Sequence, residues 1–191
     1  SAGSGAASIT LTDASTVSSA ATSAANNAAP TDISLSATTI AENASSLTFT
    51  ATSTDDSSTS FTYALSGADA DYFTLNSSTG VLTLKASPNY EAKNSYSVKL
   101  KTSEDADIPK SYSENFTITV TDVNEAPSFS ASSATGSVAE NADASTVIFT
   151  ASASDPDTSK SIVYSITGGD DASLVQIDSS TGEVVLREPA D

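Results

Sequence analysis

"FTYALSGADADYFTLNSSTGVLTL", residues 61–84, returns as "IVYSITGGDDASLVQIDSSTGEVVL" at residues 162–186. Both copies alternate apolar and polar residues in short runs rich in Thr, Val, Ile, Tyr and Phe. That is the period-2 signature of half-buried strands. Between the runs sit "NSSTG" (76–80) and "DSSTG" (178–182), whose Gly80 and Gly182 can take the positive φ that a hairpin loop demands. Tyr63 and Tyr164 hold the same strand position in each copy and read as core aromatics.

Outward from this block, "TTIAENASSLTFTATSTDD" at 38–56 returns as "GSVAENADASTVIFTASASDPD" at 136–157. Order and spacing agree with small insertions, so the chain holds two copies of one unit. The first copy adds "ISLS", "SYSVKLK" and "NFTITVT", which brings it to seven short strands in about a hundred residues. The expected fold class is therefore all-β, as tandem Greek-key β-sandwich domains. The second domain is expected to be incomplete, because nothing after Asp191 matches "YEAKNSYSVKLKTSE" or "NFTITVTD" and its last two strands are unaccounted for.

The expected organisation has three parts. Residues 1–29 are a strand-like segment plus an Ala/Ser-rich linker, 30–126 a complete sandwich, and 127–191 a partial one. "ASITLTD" (7–13) matches "FTITVTD" (116–122), whereas "ASTVSSAATSAANNAAP" (14–30) has no apolar periodicity. Two readings of this layout stay open. The chain is an excised segment of a longer tandem array, or the amino-terminal strand of one copy completes the open second domain of the next.

Seven Lys plus Arg stand against 24 Asp plus Glu, a formal net charge of −17. Such a surface repels nucleic acid phosphates and anionic membranes and attracts multivalent cations. Cys, His, Met and Trp are absent, which excludes disulfides, thiolate or imidazole metal sites, and Ser-His-Asp chemistry. Any metal must be held by oxygen. No apolar run approaches the roughly 20 residues of a membrane-spanning helix, so membrane insertion is not expected. A start at Ser1 without a leader pattern is expected of a mature protein or a fragment.

The acids gather in "AEN" (41–43 and 139–141), "NYE" (89–91), "DVNEAP" (122–127) and "DPD" (155–157). Taken singly, "DPD" is a turn and "AEN" and "NYE" are loops with incidental charge. Taken jointly around a repeat boundary, they suit Ca²⁺, which takes six to eight oxygens from carboxylates, carbonyls and water. An enzyme is not expected: a glycosidase needs two acids across a cleft, and these acids lie at a domain junction. The sequons at Asn43, Asn76 and Asn115 are of the kind a Ser/Thr-rich chain generates by chance.

In order and spacing these elements, with the "YSITGGDD" to "IDSSTGEV" run, resemble the cadherin family, in particular the cadherin-like repeats of large bacterial surface adhesins. The resemblance covers residues 30–191. It implies a string of sandwiches with Ca²⁺ at each junction, ligated by the end of one domain, the linker and the start of the next. It assigns Glu42, Glu91, Asp122, Asn124, Asp155 and Asp157 as ligands. Asn89 and Glu125 stand where the family has aspartates, and Ala126 where it has asparagine. A late aspartate of the following domain has no counterpart, so two ions rather than three are expected.

"AANNAAP" (24–30) aligns with "TDVNEAP" but has lost both acids, leaving Asn26 and Asn27. A site there with Asp55, Asp56, Glu104 and Asp105 is expected to be weak or empty, and Glu140 is expected to face a further junction downstream. The implied function is a calcium-rigidified structural or adhesive module, extracellular or at the cell surface, in a bacterial adhesin, surface filament or biofilm protein. Its expected partners are calcium ions, neighbouring repeats or copies of the same protein, and a cell-surface or carbohydrate ligand. Alternatives are a self-polymerising filament subunit and a carbohydrate-binding module.

Overall fold

A computed structural model describes residues 27–56, 58–105, 109–157 and 160–190. The strand-like segment 7–13 and the linker through Asn26 lie outside the described residues. The chain divides into two compact units, Ser1–Asp122 and Val123–Asp191. Val123 to Ala126, read from sequence as the tail of the first domain, thus go with the second.

The first unit runs β1 (Asp32–Leu35), β2 (Thr39–Ala41), β3 (Thr48–Thr54), β4 (Phe61–Ser66), β5 (Phe73–Leu75), β6 (Val81–Leu84), β7 (Ser95–Glu104) and β8 (Ser111–Thr121). One sheet has the order β1-β3-β6-β5 and the other β2-β8-β7-β4. All neighbours are antiparallel except β2 and β8, which pair in parallel with Thr39, Ile40 and Ala41 opposite Thr119, Val120 and Thr121. The chain leaves β1, crosses at Ser36 to Thr38 and enters the opposite sheet as β2. This eighth strand was not among the seven expected.

Alternation builds the core. Tyr96 and Val98 of β7 and Ile118 and Val120 of β8 face Phe49, Leu82, Leu84 and Phe73 of the other sheet, all buried. Each such side chain contributes about 1.5–3 kcal/mol relative to exposure. Tyr63 joins Ile33, Ala51 and Leu100 in a second cluster. The loop at 76–80 is fixed by the Asn76 carboxamide oxygen, which accepts the N–H groups of Ser78 and Thr79 at 3.1 Å each. Gly80 has φ +70, and a Cβ there would lie 2.5 Å from the Ala51 carbonyl oxygen, so only glycine fits.

Before β5 the chain makes a 3₁₀ turn, Ala70–Tyr72, which takes Tyr72 out of the strand the alternation suggested. Tyr72 meets Tyr96 edge to face at 5.3 Å, and the Lys93 ammonium lies 5.5 Å and 5.4 Å from the two ring centroids. Lys93 pairs with Asp69 at 2.9 Å. The Ser97 N–H donates to the Asp69 carboxylate at 2.7 Å, and this bond, then Lys93, holds that carboxyl below its ordinary pKa.

The second unit contains β9 (Ser128–Phe129), β10 (Val147–Thr150), β11 (Ala153–Ser154), β12 (Val175–Ile177) and β13 (Glu183–Leu186). Its antiparallel ladders are β10-β13-β12 and β11-β9. These correspond to β3-β6-β5 with β1. The Ala151 N–H donates to the Gly182 carbonyl as the Ala51 N–H does to Gly80, and the Tyr164 N–H donates to Ser179 as the Tyr63 N–H does to Ser77. Asp178 accepts the N–H groups of Thr181 and Ser180 at 2.8 Å each, which lowers its pKa.

Among the described residues no ladder forms over 161–168, the counterpart of β4, and none corresponds to the β2-β8-β7-β4 sheet. The described residues of the second unit therefore correspond to one of the first unit's two sheets. Phe129 is 66% exposed where its counterpart Ile33 is 2% exposed, and Phe149 is 36% exposed against 2% for Phe49.

Candidate metal centre

One pole of the first unit is formed by the ends of β2 and β8 and the turn at 89–93. Glu42 follows β2 directly, and its N–H donates to the Thr121 carbonyl at 3.0 Å, carrying the parallel ladder one bond further. Asn43 then takes φ +56, a left-handed conformation that asparagine tolerates, and its N–H donates to Pro88 at 3.0 Å. Asn141, its counterpart, has φ +60. The "N" of "AEN" is thus a backbone requirement, and the "E" is what it aims.

Asn89 caps the neighbouring turn. Its amide oxygen accepts the Ala92 N–H at 2.6 Å, and its carbonyl accepts the Lys93 N–H at 2.9 Å. Glu91 is held at the middle of that turn, and the Tyr90 N–H donates to the Glu42 carboxylate at 2.9 Å. Asp122 is the first residue beyond β8.

These three placements converge. Carboxylate oxygens of Glu42, Glu91 and Asp122 lie within 4.8 Å of one another, with Glu42 buried and the other two exposed. Like charges at that separation repel by roughly 1 kcal/mol per pair in bulk water and about 3 at the effective dielectric of a protein surface. A hard divalent cation reverses that sign, and an all-oxygen donor set fits Ca²⁺ or Mg²⁺. Three carboxylates fall short of the six to eight oxygens Ca²⁺ takes, so carbonyls, water or further side chains must complete the shell.

The remaining expected ligands belong to the second unit. The Glu125 N–H donates to the Asp157 carboxylate at 2.7 Å, and the Asp157 N–H donates to Asp155 at 2.9 Å. The Asn124 amide donates to the Glu125 carbonyl at 3.0 Å. Backbone hydrogen bonds thus gather Glu125, Asp155 and Asp157 at the start of that unit. The acidic "DPD" is both a turn and an acid cluster, so its two readings are compatible.

The opposite pole of the first unit is built differently. Glu104, buried, accepts the Asn27 side-chain amide at 2.6 Å and the Lys110 N–H at 3.4 Å. The Lys110 ammonium in turn donates to the Asn27 carbonyl. Both donors to Glu104 reach its Oε2 atom, while its Oε1 atom is buried without a hydrogen-bond partner among the described residues.

The first unit is thus an eight-stranded Greek-key sandwich with one parallel edge pair and a carboxylate triad where β8 ends. Residues 36–121 match the family model "Cadherin domain". It is 35% identical over 127 residues to human Protocadherin-11 X-linked, covering 63% of this chain and 9% of that protein. It is 30% identical over 133 residues to the Fat-like cadherin-related tumor suppressor homolog of Drosophila melanogaster, covering 68% of this chain and 3% of that protein.

Among solved structures, human Protocadherin-24 EC1-2 (Form II) aligns with a TM-score of 0.64 at 25% identity, covering 85% of this chain and 81% of that one. Mouse Cadherin-23 EC22-24 aligns at 0.58 with 24% identity, covering 87% and 56%. The all-β sandwich expected from the alternation is therefore shown. Both of these relatives are eukaryotic, and the chain spans less than a tenth of the length of either.

Proposed function

We propose that this chain is a calcium-rigidified adhesive or spacer module of an extracellular surface protein. The observation that carries the reading is the Glu42, Glu91 and Asp122 triad within 4.8 Å, positioned where the chain passes into its second repeat. Asn124 and Glu125 follow Asp122 in sequence, and Glu125 is hydrogen-bonded to Asp157. Calcium held by the triad takes its further oxygens from Asn124, Glu125, Asp155 and Asp157, so that ordering the ion orders the linker. Asn89 contributes by shaping the turn that carries Glu91, and a lone pair of its amide oxygen remains for the ion.

The setting we propose is a tandem-repeat surface adhesin of bacterial type. The run beginning at Tyr164 and the cysteine-free, Ser/Thr/Ala-rich composition support it. Adhesion, rather than catalysis, follows from the kinship with cadherin domains and from acids that serve as cation ligands. A carbohydrate site finds less support: the exposed Tyr72 has Lys93 over its ring and Tyr96 against it.

The test is a calcium titration of the full chain by calorimetry, with small-angle scattering in calcium and in chelator. Binding with a rise in melting temperature and a narrower distribution of shapes is expected. An unchanged melting temperature and scattering curve would sink the reading.

A further inference from the structure

The turn that carries Glu91 is anchored on both sides. On its amino-terminal side the Tyr90 N–H donates to the Glu42 carboxylate at 2.9 Å, and the Asn89 amide oxygen accepts the Ala92 N–H at 2.6 Å. On its carboxyl-terminal side stands Lys93, whose N–H donates to the Asn89 carbonyl at 2.9 Å. The Lys93 ammonium leaves the turn for the Asp69 carboxylate, 2.9 Å away. Glu91 lies between these anchors.

Asp69 is a fixed partner. Its N–H donates to the Ser97 carbonyl at 3.1 Å and its carboxylate accepts the Ser97 N–H at 2.7 Å, so it is tied twice to β7. The rings of Tyr72 and Tyr96, 5.3 Å apart and edge to face, attract the same ammonium from 5.5 Å and 5.4 Å. Tyr96 is itself part of the buried core. Lys93 thus connects the turn to groups that belong to the folded body of the first unit.

On the reading that the triad holds calcium, we propose that Lys93 and Asp69 are positioning residues for that site: together they brace the turn at 89–93, so that Glu91 stays beside Glu42 and Asp122 before the ion arrives. Glu42 is buried and Glu91 exposed, so the Glu91 turn is the part that yields when the carboxylates repel one another. The brace opposes that movement and reduces what binding must spend on ordering the turn. Charge alone has the opposite sign. An ammonium two residues from a ligand disfavours a divalent cation, so removing it would tighten binding.

That difference of sign makes the experiment decisive. Calcium is titrated calorimetrically into the full chain at fixed ionic strength, unaltered and as Lys93→Met and Lys93→Arg. Methionine still packs on the tyrosine rings but cannot pair with Asp69. Lys93→Met should lose on the order of 10-fold in calcium affinity, although a positive charge has been removed. Lys93→Arg, which pairs with carboxylates and lies over aromatic rings, should recover most of the loss. The double variant Asp69→Asn, Lys93→Met should lose about as much as Lys93→Met alone, because the two residues act as one brace. In chelator, hydrogen exchange of the Ala92 amide should be faster in Lys93→Met than in the unaltered chain. Melting of the first unit is the folding control.

Unchanged affinity in Lys93→Met would reduce the pair to a local stabilising contact and overturn the proposal. Tighter binding would overturn it too, leaving only the charge. Unchanged exchange at Ala92 would show that the turn needs no brace. An unaltered chain that binds no calcium would remove the calcium reading and this proposal together, whereas equal binding by the unaltered chain and Lys93→Met would remove this proposal alone.

Discussion

Replacing Glu42 by Gln separates the ligand role of this residue from its structural one. In chelator, the substitution keeps an acceptor for the Tyr90 N–H, which lies 2.9 Å from the carboxylate, and weakens that bond by about 1 kcal/mol. It also deletes two repulsions, those with Glu91 and Asp122 inside the 4.8 Å cluster, worth roughly 1 to 3 kcal/mol each. The calcium-free variant should therefore melt higher than the unaltered chain by about 1 kcal/mol or more, some 4–8 °C for a domain of this size.

In calcium the difference reverses in kind. At free calcium about 100 times the dissociation constant, the unaltered chain gains about 2.7 kcal/mol. A variant whose affinity has fallen on the order of 100-fold for want of one charged ligand gains only about 0.4 kcal/mol at the same concentration. Differential scanning calorimetry in chelator and in calcium reads both numbers. Equal calcium-induced shifts in the two proteins would refute the ligand role. A variant less stable than its parent in chelator would refute the repulsion.

Three more outcomes are expected. Gly80→Ala should lower the stability of the first unit by about 2 kcal/mol or more in urea denaturation, since φ is +70 and the new Cβ would press on the Ala51 carbonyl. Phe49→Ala should cost about 3–5 kcal/mol by the same measurement, whereas Phe149→Ala, at a site already 36% exposed, should cost far less in the second unit. Asp69 has a lowered folded pKa, so its contribution is complete above the unfolded value of about 3.9 and is lost as pH falls through the lower folded value. The stability gap between the unaltered chain and Asp69→Asn, followed by denaturation from pH 7 downward, should therefore narrow only below about pH 4.

Most of the fold was legible because alternation and hairpin chemistry are local. "NSSTG" and "DSSTG" each announce a turn, and both Gly80 and Gly182 take positive φ. Two features escaped. The strand β2 is three residues long, too short for alternation to mark, and it exists because β8 offers it a parallel ladder. "IVYSIT" has the same alternation as "FTYALS" yet forms no ladder, since a strand needs a neighbour and the β7 counterpart is not among the described residues.

The site was legible to a similar degree. Glu42, Glu91 and Asp122 were separable from incidental charge only by their joint order around the repeat boundary, and the fold brings them together. Asn43 carried no ligand signal, but an asparagine after a buried acid is a readable sign of a left-handed turn. The cluster of Asp69, Lys93, Tyr72 and Tyr96 joins a turn, a loop and a strand, and no spacing along the chain reveals it.

The parallel pairing of β2 with β8 also decides how the first unit bears mechanical load. Tension applied through the flanking chain first meets β1 on β3, and once β1 yields it pulls β2 toward its amino end and β8 toward its carboxyl end. In a parallel pair these directions are opposed along the strand axis. The bonds opposite Thr119, Val120 and Thr121, with the Glu42 N–H on Thr121, are therefore sheared together rather than opened one after another. A three-residue strand thus acts as a clamp, and its last bond belongs to Glu42, a member of the carboxylate triad.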